Sequence, residues 1–157
     1  MKRLVIYILL LGAVVAAPAK PLEVGKLRPV QVVSIYKEGN RVVIETDTQD
    51  KGVGATAQEA LQNMEDTSNG IIYLDTADYL LVTESVLPYV EQLHQYLKDN
   101  VKICQQTEPI NTKLAAQYLS VHEDLPRLKA WEEGVELPVL EAIEEKKILI
   151  EKSKNNA

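Results

Sequence analysis

The chain has 157 residues, 46% of them hydrophobic and 25% charged, with a net charge of −6. This composition excludes a disordered chain, and with no Lys/Arg-rich block to offset the acidity it excludes a general attraction for nucleic-acid backbones. A single cysteine, Cys104, excludes an internal disulfide framework, so stability must come from a core built on Val, Ile and Leu, with seven Tyr, one Trp and no Phe to assist.

Met1-Lys2-Arg3 is a short positive region, Leu4 to Val15 is an apolar run, and "AAPAKP" supplies small residues, with Ala17-Pro18-Ala19 as a candidate A-x-A cleavage site. This is the build of a secretory signal peptide, and the run is short for a membrane span, which needs ~20 residues. Residues 1–19 are therefore expected to be a signal peptide or an uncut N-terminal anchor, and the chain to be exported. Cleavage would remove Lys2 and Arg3 and take the charge from −6 to −8. A Pro-flanked linker over 20–28 and a single domain over 29–157 are expected to follow.

"PVQVVSIY", Pro29 to Tyr36, is rich in β-branched residues and predicts a strand. Lys37-Glu38-Gly39-Asn40 predicts a turn in which Gly39 and Asn40 can take positive φ. "RVVIETDT", Arg41 to Thr48, alternates Val42, Ile44 and Thr46 against Val43, Glu45 and Asp47, so the two strands should form an antiparallel hairpin with one half-wet face.

"KGVGATAQEALQN", Lys51 to Asn63, then poses a choice. Gly52-Val53-Gly54-Ala55-Thr56-Ala57 has the G-x-G-x-x-A form of a dinucleotide loop, and "IIYLD" ends in an acid about 20 residues later. A dinucleotide loop needs its first Gly at the end of a buried parallel strand, where the helix N-terminus meets the diphosphate. Here the polar stretch Glu45 to Lys51 carries three acids, Glu59 adds a negative charge at the helix entry, and the preceding hairpin is antiparallel. The glycines are accordingly read as a backbone turn, with no cofactor. Thr56 and Glu59 form a capping-box pair opening a helix over Thr56 to Ser68, with Ala57, Leu61 and Met64 on its buried stripe and Gly70 as its stop.

Ile71 to Leu74 predicts a short strand, interrupted by Asp75-Thr76-Ala77-Asp78 and resumed at Tyr79 to Val82. Val86, Leu87, Val90, Leu93 and Leu97 predict a long helix from Ser85, its N-cap, to Asp99, with Pro88 in the first turn. "VKICQQ" from Val101 predicts a strand in which Cys104 is a small buried hydrophobe. Short helices are expected over Thr112 to Val121, with Leu114, Ala115, Tyr118 and Leu119 sharing a face, and over Asp124 to Glu133, with Leu125, Leu128 and Trp131 inward and Gly134 as cap. The tail "LPVLEAIEEKKILIEKS" suits a closing hairpin around "EEKK" better than one helix. The fold class is thus α+β: a small mixed sheet, made of the N-terminal hairpin and further strands, packed with three to four helices.

No catalytic, cofactor or metal residues emerge. Asp75 and Asp78 are three apart in a turn, where local capping explains them. His94 and His122 are far apart and, with one Cys, allow no zinc spacing. No D-x-D-x-D-G loop and no G-x-S-x-G occurs. Residues expected to meet a partner are Asp75, Asp78, Tyr79 and His94, on the 75–79 turn and the exposed face of the 85–99 helix, because loops on a scaffold carry function.

The segment Ser34 to Ile103 resembles the N-terminal domain of the Ger(x)C spore-germination proteins, the C subunits of germinant receptors. The matching pieces are the hairpin around Lys37-Glu38-Gly39-Asn40, the string Gly52, Gly54, Thr56, Glu59, Ala60 and Leu61, the strand ending "YLLVTE", and the helix leading to a strand. The resemblance implies a lipid-anchored subunit on the outer face of the membrane that assembles with membrane partners, without known catalysis. The expected function is therefore non-enzymatic interaction or assembly at the cell envelope, linked to sporulation or germination. A small exported ligand-binding protein is the alternative, and an enzyme of unrecognised type stands behind both.

Overall fold

The computed structural model describes residues 27–121, 125–132, 134–143 and 147–151, with side chains up to residue 140. Residues 1–19, expected to be a signal peptide or anchor, lie outside the described residues, as do Asp124 and Glu133 at the ends of the predicted fourth helix.

The chain is α+β. A seven-stranded mixed sheet has the order β4-β3-β2-β6-β7-β8-β9, and a separate two-stranded sheet pairs β1 with β5. The predicted hairpin is present as β2 (Val32–Glu38) and β3 (Arg41–Thr46), antiparallel, turning at Gly39 with φ 60°. β4 (Lys51–Gly54) adds an antiparallel edge to β3. On the other side of β2, β6 (Tyr79–Val82), β7 (Lys102–Gln106) and β8 (Val139–Ile143) run parallel to it in succession. β9 (Lys147–Glu151) closes the sheet antiparallel to β8, so the tail is the hairpin rather than a helix.

Period-two alternation sends each strand's apolar residues to two cores. Val33, Ile35, Val42, Ile44, Leu80, Val82 and Ile103 face one side. They meet α1 (Ala57–Thr67) through Ala57, Ala60, Leu61 and Met64, and the 84–94 segment through Val86, Val90 and Leu93. Val32, Tyr79, Leu81, Cys104 and Leu140 face the other side, under Ala115, Ala116 and Leu119 of α3 (Thr112–Leu119). On that second side Gln106 donates from Nε2 to Ser34 Oγ at 2.7 Å, a buried polar link that spans β6.

Four local expectations are corrected. The 85–99 helix is a 3₁₀ turn, Glu84–Tyr89, followed by only five α-helical residues, α2 (Val90–His94). The segment starts after Thr83, which puts Pro88 beyond the first turn. There its missing N–H and its ring oppose α geometry, and Leu87 before it is restricted as well. Ser85 is consequently no N-cap; its Oγ shares a 3.1 Å hydrogen bond with Thr83 Oγ1. In α3, Leu114 is exposed and Ala116 is buried in its place. The 20–28 linker gives up its end to β1 (Leu27–Pro29), which pairs in parallel with β5 (Ile71–Tyr73). α1 stops at Thr67, before Gly70, with an extended Ser68 as its C-cap. The fourth helix, α4 (Leu128–Glu132), buries Leu128 and is closed by Gly134, which has φ 94° and donates its N–H to Trp131 O at 2.8 Å.

Candidate functional site

The glycine string is a strand, which corrects its reading as a turn. Gly52 and Gly54 lie within β4, opposite Ile44 and Val42 of β3, and neither has a positive φ. Their purpose is proximity. A Cβ on Gly52 would sit 2.0 Å from Ala60 O and 2.6 Å from Met64 Cβ; one on Gly54 would sit 2.4 Å from Ala60 N. Helix α1 lies directly on the strand, and Asn63 Oδ1 accepts the outward N–H of Val53 at 3.0 Å. The predicted capping box is formed: Glu59 N donates to Thr56 Oγ1 at 3.2 Å, and Glu59 Oε2 accepts from Ala55 N at 2.9 Å. The volume above the glycines, where a diphosphate would rest, is filled by the helix backbone.

The cleft beside this packing is polar. It has a volume of about 440 Å³ and is lined by Arg28, Thr48, Gln49, Asp50, Lys51, Thr67, Ser68 and Asn69. Asp50 is its hub. The carboxylate is 7% exposed and accepts from Arg28 Nη1 at 2.7 Å, Ser68 Oγ at 3.0 Å and Thr48 Oγ1 at 2.6 Å. Arg28 Nη2 donates to Thr48 O at 2.8 Å. The 46–50 turn that presents Asp50 closes through Thr46 N to Asp50 O at 3.0 Å and holds Gln49 at φ 68°. The hub ties three segments together: β1, the 46–50 turn and the exit of α1. Its carboxylate accepts from three separate side chains, which suits a lock better than an acid or base.

A second cluster lies on the hairpin. Tyr36 donates its hydroxyl to Glu45 Oε2 at 3.1 Å, and Lys51 Nζ lies 3.1 Å from Glu38 Oε1 and 5.8 Å from the Tyr36 ring centre. Burial pushes the Tyr36 phenol above its ordinary range, and the hydrogen bond to Glu38 pushes Lys51 up as well. Both groups move away from neutrality, opposite to the shift a catalytic base needs. Cys104 is buried, and burial pushes its thiol up to about 12, so it is not a nucleophile near pH 7. Among the described residues, no three His, Cys, Asp or Glu side chains gather around a common point suited to a metal ion.

The four expected contact residues are not brought together into one surface. Asp75 is exposed in a short 3₁₀ turn, Leu74–Thr76. Asp78 is exposed and paired with Lys98 Nζ at 2.5 Å. Tyr79 is only 7% exposed, packed in the second core with Lys102 Nζ 5.6 Å from its ring centre, so it presents almost nothing to a partner; the alternation of β6 sets that direction. His94 ends α2, and its Nδ1 lies 3.0 Å from Glu132 Oε1 of α4, a link between two helices.

The surface that sequence reasoning missed precedes the 75–79 turn. β1 and β5 pair Leu27 with Ile71 and Pro29 with Tyr73, so these four side chains share one face of the ribbon. Ile72 points inward to the first core, and Arg28 points to Asp50. Ile71 and Tyr73 remain 48% and 47% exposed, Pro29 is exposed and Leu27 is half-buried. The available signal was the odd-even split of "IIY", which shows one inward and two outward apolar residues once the strand is placed over a core. Among the described residues no helix is long and apolar enough to cross a membrane. Comparison with family models, with curated proteins and with solved structures finds no match to this chain.

Proposed function

We propose that the chain is an exported, non-enzymatic protein of the cell envelope that works by surface contact, in the manner of the germinant-receptor C subunits it resembles over Ser34 to Ile103. The observation that carries this reading is the exposed apolar face of Leu27, Pro29, Ile71 and Tyr73, beside the exposed turn at Asp75. Exposed apolar side chains gathered on one face of a ribbon suit a contact surface. The chemistry of the polar clusters points the same way: the Asp50 carboxylate is consumed by three donors, and the Cys104 thiol and Tyr36 phenol are both pushed away from neutrality.

The second reading, a small exported ligand-binding protein, draws on the cleft at Arg28. Its opposing charges answer each other internally, and its lining lacks the apolar wall typical of a small-molecule site.

The test is a photoreactive benzophenone side chain placed at position 73 in cells, both vegetative and sporulating. The chain should be recovered with the envelope fraction and carry a light-dependent adduct through that position. Recovery in the soluble fraction with no adduct of protein or lipid overturns the proposal.

A further inference from the structure

We propose that the Leu27/Pro29/Ile71/Tyr73 face docks on the surface of an anionic lipid bilayer, so that the ribbon lies against the membrane and the Asp75 turn marks the edge of the contact. This rests on the envelope reading above and names the partner of the same surface. Three observations select lipid as the occupant.

The first is continuity. The face begins at Leu27, and the apolar run Leu4 to Val15 lies only 11 residues upstream in the chain. Even fully extended, that connection spans roughly 40 Å at 3.3–3.6 Å per residue. A run of this kind, if held in a bilayer, keeps the ribbon within reach of the headgroups.

The second is charge. The chain is acidic, yet Lys20 to Lys26 carries Lys20 and Lys26 against Glu23 alone, while Arg28 is paired with Asp50 on the opposite side of the ribbon. The segment leading into the face is therefore slightly positive in a negative protein. Each cation near an anionic leaflet adds to the attraction. The four side chains of the face bring no carboxylate to oppose it; the nearest in sequence, Asp75, falls beyond its end.

The third is side-chain type. Tyr73 presents a ring with a polar tip, the amphipathic form favoured at headgroup level, beside Leu27, Ile71 and Pro29, which have no polar side-chain atoms. The outward alternation of the two-stranded ribbon puts all four on one face.

The experiment uses the full chain reconstituted in vesicles of phosphatidylglycerol and phosphatidylcholine, with a nitroxide on Tyr73→Cys or, as the comparison site, on Val121→Cys, which is 74% exposed at the end of α3. Cys104 is buried and does not compete for the label. At position 73, collision with oxygen relative to a water-soluble nickel complex should rise several-fold on passing from neutral to anionic vesicles, with no rise at 121. Equal nickel access at 73 and 121 in anionic vesicles overturns bilayer docking. So does a position-73 crosslink in cells that is exclusively to protein. Either result leaves the envelope reading to stand on fractionation and adduct formation, so the two failures are distinguishable.

Discussion

Gly52→Ala separates a glycine kept for closeness from one kept for conformational freedom. Gly52 has no positive φ, so its backbone accepts alanine, and the lost flexibility of the unfolded chain alone would stabilise the variant by about 0.4–1 kcal/mol. The added methyl, however, would lie 2.0 Å from Ala60 O, 2.6 Å from Met64 Cβ and 2.8 Å from Met64 N. Two of these three are backbone atoms of α1 and cannot rotate aside, so the helix must withdraw by roughly 1 Å to reach van der Waals distance. That loosens Ala57, Ala60, Leu61 and Met64, which carry the contact of α1 with the first core. Overpacking typically costs about 1–3 kcal/mol, and a backbone collision belongs at the upper end. The net expectation is a loss of about 2–3 kcal/mol. With a urea slope of about 1–3 kcal/mol/M, the unfolding midpoint followed by circular dichroism falls by about 0.7–3 M. A midpoint equal to or above that of the unsubstituted protein would refute the packing argument and return the string to a loop.

Gly39→Ala should cost about 1–2 kcal/mol for the opposite reason, since φ is 60° and no atom lies within 4 Å of the added Cβ; Gly39→Asn should recover part of that loss, whereas Gly52→Asn should be worse than Gly52→Ala. Asp50→Ala should destabilise by about 2 kcal/mol and speed amide exchange at Ile72, because Arg28, Ser68 and Thr48 lose their shared acceptor; unchanged exchange would show that the hub does not hold the ribbon. The Cys104 thiol is raised from 9.0 to about 12, so its contribution is whole below pH 9 and is lost as pH climbs toward 12, by about 1.4 kcal/mol per unit. Cys104→Ala should therefore show a shallower decline in stability between pH 9 and 11, and identical slopes would contradict a buried neutral thiol.

The main sheet was legible because its strands carry short β-branched and apolar runs that a core covers on both faces: Val32, Val33 and Ile35, Val42 to Ile44, Leu80 to Val82, and Ile103 with Cys104. The Thr56–Glu59 cap was legible for a similarly local reason, since both halves of the box fall within one turn. What escaped detection depends on distance along the chain. Gly52 and Gly54 carry the composition of a turn, and only Ala60 and Met64 pressing on them reveal a strand. Three residues of "LRP" make no strand alone; they need Ile71, 44 positions away, to pair with. Asp50 reads as one acid in a polar loop until Arg28, Thr48 and Ser68 converge on it. Pro88 was visible, but its effect turned on whether the helix began at Ser85 or two residues earlier.

These long-range features converge on the ribbon. Two three-residue strands cannot persist in water unaided, because a parallel pair of that length offers few hydrogen bonds for the chain entropy it removes. β1–β5 persists because each strand is fastened by something else. Ile72 anchors β5 in the first core. Arg28 anchors β1 to Asp50. Thr76 Oγ1 joins the two ends by donating to Val30 O at 2.9 Å and accepting from Val30 N at 2.9 Å. Such fastening holds the outward residues along with the inward ones, so Leu27, Pro29, Ile71 and Tyr73 share one preformed face rather than being assembled on contact. A preformed face loses little side-chain entropy when it docks. Asp50→Ala should therefore weaken vesicle association although Asp50 lies on the other side of the ribbon from the lipid. A docking strength unchanged in Asp50→Ala, measured by flotation on anionic vesicles, would mean that the rigidity of the ribbon plays no part in the contact.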